Sequence, residues 1–104
     1  MIETKASAPR TLPALKGVRI VSLALNLPGP AALMRCQAMG ASCVKIEPPP
    51  PAGAVAGTTA DPMGVYNRGA YDVMHHGVRV AVADLKTDAG QKALHRELAK
   101  ADVL

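Results

Sequence analysis

The sequence predicts an α/β fold organised on a parallel sheet, and three observations carry that reading. Three short β-rich runs, residues 18–25, 42–47 and 78–84, are each bounded by Gly, Pro or polar breaks. Helix-forming stretches alternate with them, over residues 31–39 and again after Thr87. The runs are mostly apolar instead of strictly alternating, as strands covered on both faces are.

Taken in order, residues 1–15 have no period and contain Pro9 and Pro13, so they are expected to form an arm. Residues 18–25 make the first strand, and Asn26-Leu27-Pro28-Gly29-Pro30 breaks it. The helix over 31–39 follows, with Pro30 suited to its first turn and Gly40 to a left-handed stop. Ser42 to Glu47 is the second strand, ended by Pro48 to Pro51. A right-handed crossover places these two strands parallel. Residues 48–64 are rich in Pro, Gly, Ala and Thr and too long for an ordinary connection, which predicts a functional or mobile segment. Tyr66, Ala70 and Met74 recur at four-residue spacing and predict one short helix before Gly77. The third strand, 78–84, puts Val78, Val80 and Val82 on one face. Thr87 caps the last helix, Asp88 suits its positive end, and Leu94, Leu98 and Ala101 form its apolar stripe. Asp102-Val103-Leu104 then begins a further buried strand, so the chain is expected to be the N-terminal part of a longer α/β protein.

Composition narrows the class. With 104 residues, 49% of them hydrophobic and 19% charged, the chain fits one small domain or a piece of one and is too apolar for disorder. It holds 19 Ala, 10 Leu and 10 Val but no Phe, no Trp and only Tyr66 and Tyr71. Such a core buries little area per residue and is expected to lean on more protein. The net charge of +4 comes from residues 1–60, where six basic residues are scattered without a run. With neither a basic stripe nor stacking aromatics, nucleic acid is excluded as a partner. An anionic small molecule needs only two or three placed cations. Cys36 and Cys43 form no CxxC pair, no apolar leader opens the chain, and no uncharged stretch is long enough to span a bilayer. These features predict a cytoplasmic chain with reduced thiols and no membrane partner.

Several residues are candidates for chemistry. Leu27-Pro28-Gly29-Pro30 lies where a doubly wound sheet binds anions, and Glu47 ends the next strand in the order of a dinucleotide site. There is no GxGxxG, and Pro28 and Pro30 lack the N–H groups a pyrophosphate would use. The alternative is a tight strand-to-helix turn. His75, His76 and His95 have no ligand spacing and are expected to be surface or loop residues, with no metal. Cys36 and Cys43 are expected to be small buried hydrophobes, since no base can be nominated for either. Lys86, after the third strand, is the cation best placed to meet an anion, its alternative being simple solvation.

The ordered set Leu15-Lys16-Gly17-Val18-Arg19-Ile20-Val21, Pro28-Gly29-Pro30, Met39-Gly40-Ala41, Val44-Lys45-Ile46-Glu47-Pro48, Asp84-Leu85-Lys86-Thr87, Gly90 and Ala101-Asp102-Val103 resembles family III CoA-transferases. This is the CaiB–BaiF group, which includes formyl-CoA transferase and the α-methylacyl-CoA racemases, and the resemblance runs over nearly all of residues 15–104. It implies a Rossmann-like parallel sheet segment, β-α-β, long loop, short helix, β-α and the start of a further strand, incomplete at the C-terminus. Residues 16–104 would be the N-terminal part of the large domain. Coenzyme A, bound as acyl-CoA substrate, would lie along the carboxyl ends of the strands. By position, Asn26, Leu27 and Pro28 would line its site, with Ala83 and Lys86 near the adenine and phosphates. In transferases of the family an Asp further along takes the acyl group as an anhydride and then holds CoA as a thioester. Racemase relatives move the α-proton with a downstream His and Asp. Both sets would fall beyond Leu104, so no catalytic residue is assigned here. Family members form interlocked dimers, which implies a homo-oligomer or the remainder of the same protein as partner.

The chain departs from the pattern at Ser22, where many relatives have an acid, at Leu27 in place of a Gln, and at Pro48 in place of a basic residue. His75-His76-Gly77-Val78-Arg79-Val80 stands where Asn-Arg-Gly-Lys-Arg-Ser is usual. Each change removes a polar partner for CoA. The expected function is CoA transfer between acyl-CoA thioesters and carboxylic acids. The alternatives are an acyl-CoA racemase of the same fold and a truncated, non-catalytic binding or interaction module.

Overall fold

A computed structural model describes residues 13–104. Its elements are β1 (Arg19–Ser22), α1 (Pro28–Ala38), β2 (Ser42–Glu47), α2 (Pro62–Tyr66), α3 (Arg68–Met74), β3 (Arg79–Val82) and α4 (Asp88–Leu98). The strands form one sheet in the order β1-β2-β3, parallel throughout, with Val21 opposite Val44 and Ile46 opposite Ala81. On the free side of β1, Val103 forms a parallel bridge to Ile20, and its carbonyl accepts the Val21 N–H at 3.0 Å. The predicted further strand therefore begins against β1. The spatial order Val103-β1-β2-β3 reverses at β1, which makes the carboxyl end of β1 a topological switch point.

Alternation along β2 divides the core. Val44 and Ile46 face α4, packing with Val21, Ala83, Leu94 and Leu98. Ala41 and Cys43 face α1, packing with Leu33, Ile20, Cys36 and Val78. Helices on both faces make the doubly wound arrangement expected of this pattern. The valines expected on one face of the third strand are unequally covered, for Val78 joins the α1-side core while Val82 is 58% exposed.

Several boundaries differ from the sequence reading; β3 is Arg79–Val82 where the sequence predicts 78–84. β1 spans four residues and stops at Ser22, whose Oγ accepts the Ala24 N–H at 3.1 Å. α1 starts at Pro28, because Pro28 and Pro30 occupy first-turn positions whose N–H groups would have no helical partner anyway. Gly29 is there because a Cβ on it would lie 2.1 Å from the Ala24 Cβ. The single helix expected around Tyr66, Ala70 and Met74 is two. Asn67 closes α2 and caps α3, its Oδ1 accepting the Ala70 N–H at 3.1 Å. Other signals hold: Gly40 ends α1 at φ 104°, and Thr87 caps α4 through the Gly90 N–H at 3.0 Å. Of the arm expected over residues 1–15, residues 1–12 lie outside the described residues; Leu15 donates to the Met39 carbonyl at 2.9 Å. Among the described residues, no helix is long and apolar enough to cross a membrane.

Candidate functional site

Parallel strands deliver their following loops to one end of the sheet, and a cleft of about 280 Å³ opens there. Leu23 and Leu25 line one side, Ile46 and Glu47 the floor, and Ala83 and Lys86 the other side. Ala83 is fixed by its N–H bond to the Glu47 carbonyl at 3.0 Å. Lys86 is exposed and sits in a tight turn: its N–H donates to Asp84 Oδ1 at 3.0 Å, and the Thr87 hydroxyl donates to the Asp84 carbonyl at 2.8 Å. α4 can begin so close because residue 90 is Gly, whose Cβ would stand 1.8 Å from the Asp84 carbonyl oxygen. The cleft is thus mostly apolar-walled, with Lys86 and the neighbouring Asp84 among its lining residues.

Of the five residues expected at the site, Ala83 and Lys86 line this cleft. Asn26, Leu27 and Pro28 do not line it; they are exposed on the turn from β1 into α1, at the same end of the sheet. Pro28 and Pro30 carry no N–H, so Gly29 holds the only amide hydrogen of the first three helical positions. Asn26 adopts a left-handed conformation, φ 69°. Its N–H donates to Asp61 Oδ1 at 2.9 Å, and its Oδ1 accepts the Tyr66 hydroxyl at 2.5 Å.

Behind the turn lies a buried polar cluster on the α1 face of β2. Lys45 and Asp61 are both 0% exposed and form an ion pair. The Lys45 ammonium also lies 3.1 Å from Glu47 Oε2 and 2.8 Å from His75 Nε2. Glu47 accepts the Thr59 hydroxyl at 2.5 Å and the Tyr71 hydroxyl at 2.6 Å. His75 Nδ1 is 2.6 Å from the Tyr71 carbonyl, which only accepts, so Nδ1 carries a proton and Nε2 offers its lone pair to Lys45. The Tyr71 and His75 rings stack with centroids 3.9 Å apart.

The electrostatics follow from this geometry. Burial pushes the Glu47 carboxyl up, but the hydrogen bonds from Thr59, Tyr71 and Lys45 outweigh it and leave it below its ordinary value. Asp61 is likewise pushed up by burial and brought below its usual range by Lys45 and the N–H groups of Asn26 and Met63. Burial, then the bond to Glu47, pushes the Tyr71 phenol up to about 12. Burial pushes the Cys43 thiol up as well, which suits the expected small hydrophobe; Cys43 is buried, Cys36 half-buried, and both thiols are free.

Two residues depart from the sequence expectation by being engaged inside the protein. His75 is not a surface or loop residue: it is 8% exposed and belongs to this cluster, whereas His76 and His95 are exposed. Glu47 does not offer a free carboxylate to a ribose, since both its oxygens are engaged inside the protein. Glu47, Asp61 and His75 converge as three metal ligands would. The Lys45 ammonium sits within reach of all three and supplies the positive charge at that point. Lys45, Thr59, Asp61 and Tyr71 were missed as a group. The signal available was Lys45 and Glu47 at i and i+2 on one face of a buried strand, which demands partners from elsewhere.

The profile of CoA-transferase family III matches residues 15–104. A relative, the cinnamoyl-CoA:phenyllactate CoA-transferase of Clostridium sporogenes, is 33% identical over 90 residues, covering 85% of this chain. The match spans 22% of that relative's own length.

Proposed function

The chain belongs to CoA-transferase family III, and on that premise we propose that it is the CoA-binding N-terminal portion of an enzyme that moves CoA between acyl-CoA thioesters and carboxylic acids. The observation that carries this is the cleft at the carboxyl ends of three parallel strands, walled by Leu23, Leu25 and Ala83 and rimmed by Lys86, beside the switch point at β1. Apolar walls suit the adenine and pantetheine parts of CoA, and the exposed lysine suits its phosphates. The turn at Asn26, Leu27 and Pro28 lies outside the cleft at the same end of the sheet, and the family resemblance is what supports its contact with CoA. The relative's name gives cinnamoyl-CoA and phenyllactate as that protein's substrates. CoA is the component this segment would share with it, so the reading commits to CoA and to no particular acyl group.

The attraction available is modest. A lysine and one helix N-terminus acting on exposed phosphates contribute about 1 kcal/mol each, which sets a dissociation constant no tighter than about millimolar, weaker in salt. Titrating the protein with CoA and following backbone amide shifts tests this. Shifts should appear at Leu23, Leu25, Ala83 and Lys86, and Lys86→Ala should remove them. Binding untouched by Lys86→Ala, or shifts confined to the outer faces of α2 and α3, would overturn the reading.

A further inference from the structure

We propose that Asp61, anchored by Lys45, is a positioning residue for the coenzyme turn: it holds the backbone of Asn26 in the left-handed conformation that sets where Leu27 and Pro28 lie. This rests on the CoA reading above.

Asp61 is 0% exposed, so it cannot touch a ligand at the rim. Its Oδ1 accepts two N–H groups, from Asn26 at 2.9 Å and from Met63 at 3.0 Å, while Oδ2 pairs with Lys45. Asn is one of the few residues with a side chain that enters the left-handed region readily, and at φ 69° Asn26 is fixed there by contacts to its backbone and side chain. Asp61 holds its backbone, and Tyr66 holds its side chain through the 2.5 Å hydroxyl bond. Lys45 in turn is fixed from β2 and from α3, by Glu47 at 3.1 Å and His75 at 2.8 Å. Position therefore passes from the sheet through Lys45 and Asp61 to Asn26. The segment between β2 and α2, which the sequence predicts to be functional or mobile, carries Asp61 to the turn after β1. An anchor of this kind matters because small displacements of a binding group weaken an already shallow site.

The test is CoA affinity together with hydrogen exchange at the Asn26 amide, measured on the protein and on variants whose melting shows them folded. Asp61→Ala should weaken CoA by about tenfold and deprotect the Asn26 amide. Asp61→Asn keeps a carbonyl oxygen facing both N–H groups but turns its NH2 towards the Lys45 ammonium, so it should recover part of the loss and fall between Asp61→Ala and the original protein. A merely structural carboxylate would give no such split between the two variants. If Asp61→Ala does not fold, Tyr66→Phe, which deletes one exposed hydroxyl, should still weaken CoA by about twofold and speed Asn26 exchange. Original affinity in a folded Asp61→Ala, equal losses in the Ala and Asn variants, or unchanged affinity in Tyr66→Phe would overturn the positioning role while leaving CoA binding intact. No CoA binding by the unmodified protein would overturn the CoA reading, and the positioning role with it.

Discussion

Nε2 of His75 lies 2.8 Å from the ammonium of Lys45, 30 residues earlier in the chain, and both side chains are buried. The contact joins the centre of the sheet to the end of α3. It also completes the set of acceptors around a lysine that has no access to water. Lysine is among the residues least often fully buried, and it is stable there only with every proton placed.

Removing that ammonium should be the most damaging single change in the cluster. Lys45→Met fills much of the volume but leaves Asp61 and Glu47 without their cation. We expect a loss of about 3–5 kcal/mol in urea unfolding, the cost of stranding buried charge. A loss under ~1 kcal/mol would show that water reaches the site.

Stability should fall in acid for a stated reason. Asp61 and Glu47 are held below their ordinary values when folded, so the unfolded chain takes up protons first as pH drops. Their contribution is complete above the unfolded values near ~4 and is lost as pH falls through the folded ones. The urea midpoint should be level from about pH 7 to 5 and decline below ~4. Asp61→Asn should flatten part of that decline.

At the alkaline end the sign comes from Tyr71. Its phenol is raised from an ordinary 10.0 to about 12 in the fold, so the unfolded chain loses its proton first. Stability should be unaffected by this group below pH 10 and fall as pH rises from there to about 12. Tyr71→Phe should remove that part of the alkaline decline.

The glycines should divide by what stands beside them. Gly90→Ala drives a Cβ to 1.8 Å from the Asp84 carbonyl oxygen, and Gly29→Ala drives one to 2.1 Å from the Ala24 Cβ. Each requires a backbone shift and should cost roughly 1–3 kcal/mol or more. Gly69, in α3, has its nearest neighbour at 3.7 Å. Gly69→Ala should be neutral or stabilise by up to ~1 kcal/mol. Thermal melts of the three variants check the order.

The chain by itself should transfer no CoA. Glu47 is saturated internally, Asp84 Oδ1 holds the Lys86 N–H at 3.0 Å, and Asp102 Oδ2 holds the Arg19 N–H at 2.9 Å. Incubation with an acyl-CoA and a carboxylate acceptor should show no exchange above blank. Turnover abolished by changing one of these acids would contradict that.

Local chemistry made the framework legible. The apolar runs at β1, β2 and β3, the prolines around α1, Gly40 after it and Thr87 before α4 each act within a few residues, so reading them needs no knowledge of the fold. The family motifs were legible for the same reason, being short segments in fixed order. Misplaced boundaries arose where one residue type serves two purposes. Pro28-Gly29-Pro30 breaks a strand and also opens a helix, and Asn67 interrupts one helical pattern while capping the next.

The sequence alone determined a parallel α/β sheet, its family, and a lysine at the carboxyl end of its third strand. Only the tertiary structure decided which polar groups meet. Lys45, Asp61 and His75 are separated by 16 and 30 residues along the chain from Lys45, and no periodicity links them. Their encounter depends on the path of the segment after Pro51, which folds back so that Thr59 and Asp61 lie over β2. Burial then makes the pairing compulsory, because a lysine and two carboxylates out of water are tolerable only when they satisfy one another.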